Sequence, residues 1–78
     1  MARVLLFGRF ADIAGWRERT IEAATLSDLR AILASDAPLA EALAGPSVQV
    51  AVDKTLVRAD VALTAASEVA FLPPMSGG

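Results

Sequence analysis

The chain closes on Pro73-Pro74-Met75-Ser76-Gly77-Gly78, and the group there with chemistry to offer is the α-carboxylate of Gly78. Held away from the body of the domain, that carboxylate would be placed where another protein can act on it. The neighbouring residues suit that use. Proline fixes φ near the extended region, so Pro73-Pro74 would send the segment away from the domain in a set direction. Glycine has no Cβ, so Gly77 and Gly78 fit a slot too narrow for side chains. Residues 73–78, fully extended, reach at most about 20 Å. The alternative is a frayed terminus with no role, as most C-termini are.

Other chemistries are missing. The sequence contains no Cys, hence no thiol nucleophile, zinc thiolate site or disulfide. It contains no His, hence no imidazole base or His metal ligand. Its serines and carboxylates show no spacing that would pair a nucleophile with a base, so no hydrolytic centre and no metal site are expected. A net charge of −2 with scattered basic residues argues against nucleic-acid binding. No apolar run approaches a membrane span, and Met1-Ala2-Arg3 does not open a full signal peptide. Together with the absence of Cys, this points to the cytoplasm.

The elements that must carry the C-terminal segment can be read in order. With 78 residues the chain is one small domain, and at 55% apolar it can fill a core and leave apolar surface for a partner. Arg3 to Phe7 reads as a strand buried on both faces, ended by Gly8. Phe10, Ile13 and Ala14 have helical spacing, with Gly15 as the stop. Arg17 to Glu22 reads as a charged edge strand. Thr25 to Asp28 forms a capping box, with Thr25 as N-cap and Asp28 reaching back. The main helix follows, with Leu26, Leu29, Ile32 and Leu33 as its apolar stripe. Asp36 caps and Pro38 opens a second helix carrying Leu39, Ala42 and Leu43, ended by Gly45-Pro46.

Val48, Val50 and Val52 alternate as a strand. Asp53-Lys54 makes a tight turn, and Thr55 to Val57 returns. Arg58 to Ser67 is irregular, with Leu63 buried. Glu68 to Leu72 is the last strand. Helices of this number cover one sheet face, an α+β arrangement. On the last strand Val69 and Phe71 point one way and Ala70 and Leu72 the other; with the first pair on the helices, Ala70 and Leu72 lie on the open face, Leu72 beside the C-terminal segment.

These residues resemble the ubiquitin-like β-grasp sulfur carriers, most closely the MoaD-type small subunit of molybdopterin synthase. The matching stretches run in order along nearly the whole chain. They are Val4 to Phe7, Ala11 to Gly15, Thr25-Leu26, Val50 to Val57, Leu63, and the ending Glu68-Val69-Ala70-Phe71-Leu72-Pro73-Pro74-Met75-Ser76-Gly77-Gly78. The ending is the specific part. Two turn positions depart from the pattern. Asp53 stands where the family usually has Asn, and Ala66-Ser67 where it usually has Asp-Gly.

The resemblance implies a β-grasp domain over 1–72, with a mixed sheet of about five strands, helices on one face and a flexible Gly-Gly tail over 73–78. It implies a carrier that is not itself catalytic and binds no cofactor. A ubiquitin-activating-type enzyme would use ATP to adenylate Gly78, which is then converted to a thiocarboxylate. Pro73, Pro74, Met75, Ser76 and Gly77 would thread a tunnel in the large synthase subunit, where the sulfur passes to a cyclic pterin precursor. The assembly implied is a heterotetramer of two small and two large subunits. Phe7, Leu56 and Leu72 would form the apolar docking surface, although Phe7 reads equally well as core. Three other readings stay open: a thiamin-pathway carrier with the same chemistry, a ubiquitin-like modifier joined through Gly78 to lysines, and a plain binding module.

Overall fold

The computed structural model describes residues 1–45 and 47–73. Its elements are β1 (Ala2–Leu6), α1 (Arg9–Ala14), β2 (Glu18–Ile21), α2 (Leu26–Leu33), α3 (Ala37–Leu43), β3 (Gln49–Val52), β4 (Thr55–Val57) and β5 (Glu68–Leu72). The strands form one sheet in the order β2-β1-β5-β3-β4. The first and last strands of the chain lie side by side and parallel at its centre, and the other pairings are antiparallel. This mixed five-stranded sheet with helices on one face is the ubiquitin-like β-grasp fold. Among the described residues, no helix is long and apolar enough to cross a membrane.

Strand alternation builds the core. Ala2, Val4 and Leu6 of β1 and Val69 and Phe71 of β5 are buried on the helix side. They meet Phe10 of α1, Leu29 of α2 and Leu39 of α3, each nearly inaccessible. The other face of β1 is not buried as its apolar run suggests. Arg3 is exposed and Leu5 only half-buried, because among the described residues no second layer covers that side. An apolar run reports apolar neighbours along the chain and cannot tell one covered face from two. Ile32 is a second correction, 44% exposed at the margin of the α2 stripe, while Leu26, Leu29 and Leu33 carry the packing.

The caps hold where the sequence puts them. The Asp28 N–H donates to Thr25 Oγ1 at 3.1 Å, and the Leu39 N–H to Asp36 Oδ1 at 3.2 Å. No return bond from the Asp28 carboxylate is present among the described residues. The Ser27 N–H instead donates to Asp60 Oδ1 at 2.8 Å, so the loop before β5 satisfies a second free amide of α2.

Hydrogen bonds account for both turn departures, one reaching across the sheet and one within its own turn. Asp53 and Lys54 have φ of 51° and 69°, the two positive values of a type I′ hairpin turn. The Asp53 carboxylate accepts from the Glu68 N–H at 2.9 Å, while the Asp53 N–H donates to the Glu68 carbonyl at 2.8 Å. This pins the hairpin to the start of β5. Ser67 is buried, and its Oγ accepts from the Thr64 N–H at 2.9 Å. The turn is thus closed by hydroxyls in place of Asp-Gly.

Leu29→Ala should lower unfolding free energy by about 2–5 kcal/mol, and Thr25→Ala by about 1 kcal/mol. Urea denaturation checks both, and equal losses would contradict this assignment of core and cap.

Candidate functional site

The sheet face turned away from the helices is where the sequence-derived docking residues meet. Register fixes a row across it. Glu18 of β2 lies opposite Leu5, Leu5 beside Ala70, Ala70 opposite Ala51, and Ala51 opposite Leu56. One step closer to the C-terminus, Leu72 lies opposite Gln49. Phe7 continues the alternation of Arg3 and Leu5, and its N–H donates to the Phe71 carbonyl at 3.3 Å, one residue past β1. Phe7 is 44% exposed and Leu56 55%, while Leu72 is half-buried. Phe7 is therefore a surface residue and not part of the core. Alanines occupy the two middle positions of the row, between the larger Leu5 and Leu56, and Ala51 is buried there.

Ala70 shares this face with Leu72, as strand alternation predicts, while Leu5 and Ala51 belong to it although the sequence reading did not single them out. Reading β1 as buried on both sides hid Leu5. Ala51 carried no signal without register.

The far end of the face is charged. Arg3 Nε donates to Glu18 Oε2 at 2.7 Å, its second nitrogen reaches Glu18 Oε1 at 3.3 Å, and Glu68 stands 3.5 Å away. The hydrogen bond and charge of Glu18, helped by Glu68, raise the Arg3 pKa from an already high value. Arg3 therefore stays cationic at any physiological pH. The face thus runs from an ion-paired end at Arg3 to an apolar end at Phe7 and Leu72, where residues 73–78 begin. Pro73 is half-buried there. Pro74, Met75, Ser76, Gly77 and Gly78 lie outside the described residues.

A groove of about 670 Å³ opens between the start of α2 and the β3–β4 edge, with Ser27, Arg30, Leu56, Arg58 and Asp60 among its lining. It does not hold a ready constellation for catalysis. One Asp60 oxygen caps α2, and the Arg30 guanidinium lies 5.6 Å from the centre of the Phe71 ring. No group of three or more His, Cys, Asp or Glu placed to hold a metal ion occurs among the described residues.

The ThiS family matches residues 4–78 of the chain. The crystal structure of SAMP1 from Haloferax volcanii superposes with a TM-score of 0.84 at 26% identity, covering 99% of this chain and 98% of that one. The solution structure of the small archaeal modifier protein 1 (SAMP1) from Methanosarcina acetivorans gives 0.85 at 20% identity, covering 99% and 95%, a likeness of fold. No curated protein matches.

If the face is an uncovered surface, Leu56→Asp should shift unfolding free energy by no more than about 0.5 kcal/mol. Val50→Asp, on the buried side of the adjoining strand, should leave the domain unfolded. Circular dichroism in urea separates them, and a Leu56→Asp protein that unfolds would contradict the face assignment.

Proposed function

The chain belongs to the ThiS family, and on that footing we propose that it is the sulfur-carrying small subunit of molybdopterin synthase. The observation that carries this reading is the uncovered apolar face of Leu5, Phe7, Ala70 and Leu72 at the end of the sheet where Pro73 begins the C-terminal segment. Exposed apolar surface of that kind marks a partner site. The ending Leu-Pro-Pro-Met-Ser-Gly-Gly supports the choice of acceptor.

The Gly78 carboxylate attacks the α-phosphate of ATP in the activating enzyme, releasing pyrophosphate and forming an acyl adenylate. A sulfur donor then displaces AMP and leaves a thiocarboxylate. In the large subunit the thiocarboxylate sulfur replaces a carbon-bound oxygen of the pterin precursor, and water adds to the Gly78 acyl carbon as its C–S bond breaks, so the carboxylate is restored. Every group that activates or moves a proton belongs to a partner. This chain contributes a docking face and a narrow arm carrying the reacting carbonyl. Cytoplasmic ATP and sulfur donors place the work in that compartment.

The likeness to SAMP1 from Haloferax volcanii favours a second reading, a protein modifier whose Gly78 carbonyl is joined to a lysine Nζ of another protein. Activation starts identically, so the product distinguishes the two.

Gly78→Ala should fold as the parent does and fail to support conversion of the pterin precursor by the large subunit. Full conversion with that variant would contradict the carrier mechanism. Leu72→Asp should stay folded and weaken large-subunit binding by roughly tenfold or more, as removal of an interface anchor does. Calorimetric titration reads the loss. Peptides from native lysates bearing a Gly78-to-lysine branch, with no thiocarboxylate, would favour the modifier.

A further inference from the structure

Gly8 lies between Phe7 and α1, with φ 57° and ψ −133°, a backbone conformation open essentially to glycine alone. A Cβ built on Gly8 would come 3.0 Å from Pro73 Cγ and 3.8 Å from Cδ, so the proline ring sits against the bare glycine backbone. The Phe7 N–H bond to the Phe71 carbonyl holds the same corner from the strand side. Gly15, at the other end of α1, has φ 82° with nothing within 4 Å of its would-be Cβ. The two glycines thus share a positive φ, while Gly8 alone adds a close approach to the first residue of the C-terminal segment.

We infer that Gly8 is a positioning residue: its backbone seats Pro73 and so fixes the place on the docking face where the C-terminal segment begins. The consequence for transfer rests on the carrier reading, while the contact itself does not. Phe7 and Gly8 are neighbours, so the apolar surface that meets the partner and the seat of the arm are built from adjacent residues. A partner that docks on the face then receives the arm at a fixed offset. Loss of the seat should leave docking intact and spoil delivery of the Gly78 carbonyl, because misplacement of a reacting group acts on the bound complex.

The test uses the full chain as Gly8→Ala, Pro73→Ala, the double variant and Gly15→Ala, all at a temperature where each gives a folded spectrum. A nuclear Overhauser effect between the Gly8 α-protons and the Pro73 ring protons is expected in the parent, and its absence would overturn the seat directly. Activation is then followed with the activating enzyme, ATP and hydroxylamine, whose nitrogen displaces AMP from the adenylate to give a Gly78 hydroxamate. Gly8→Ala should lower kcat about tenfold with KM little changed, and Gly15→Ala should behave as the parent. Pro73→Ala, which carries no strain at Gly8, should show a similar kcat loss, and the double variant no further loss. Equal kcat for Gly8→Ala and Gly15→Ala, or additive losses in the double variant, would overturn the inference. A parent protein that yields no hydroxamate at all would overturn the carrier reading and with it this use of the contact.

Discussion

The structure depends on one imbalance: three short helices cover a five-stranded sheet on one side only. Burial of apolar area is the main favourable term in folding, and here it is concentrated on the face carrying Val4, Leu29, Leu39, Val69 and Phe71. The opposite face keeps strand alternation and therefore keeps side chains, but has no layer to bury them. Where Arg3, Glu18 and Glu68 occupy it, water and ion pairing satisfy it. At its other end Phe7 and Leu72 leave apolar surface open, and Leu56 is exposed on the β4 edge. The parallel pairing of β1 with β5 puts the C-terminus of the last strand at that apolar end.

Much of this was legible in the chain. The bounds of β4 and β5 follow directly from turn chemistry and alternation, and Thr25 and Asp36 cap the helices they were expected to cap. Leu72 was placed on the open face by parity alone. The failures share a cause, which is information that exists only across strands. β1 looked buried twice because the sequence does not say which sheet face lacks cover. Ala51 joins the open face only through its register with Ala70 and Leu56. The use of Asp53 to bind Glu68, and the approach of Pro73 to Gly8, join residues far apart in sequence.

The chemistry assigned to this chain asks little of its side chains. Without Cys or His it has no strong nucleophile or neutral-pH base of its own. A carboxylate becomes reactive once ATP supplies a leaving group, so on the proposed reading the protein's task reduces to recognition and placement. A rigid sheet suits both, since it presents an apolar row in fixed register and anchors the root of the arm that carries the acyl group.

Whether Gly78 carries sulfur is read by intact electrospray mass of the protein purified from its own cells, with fragmentation to locate any change. A species heavier by one exchange of oxygen for sulfur, confined to Gly78, is expected. A C-terminus that stays an unmodified carboxylate, even with activating enzyme, ATP and a sulfur donor that load a known carrier, would contradict the carrier reading.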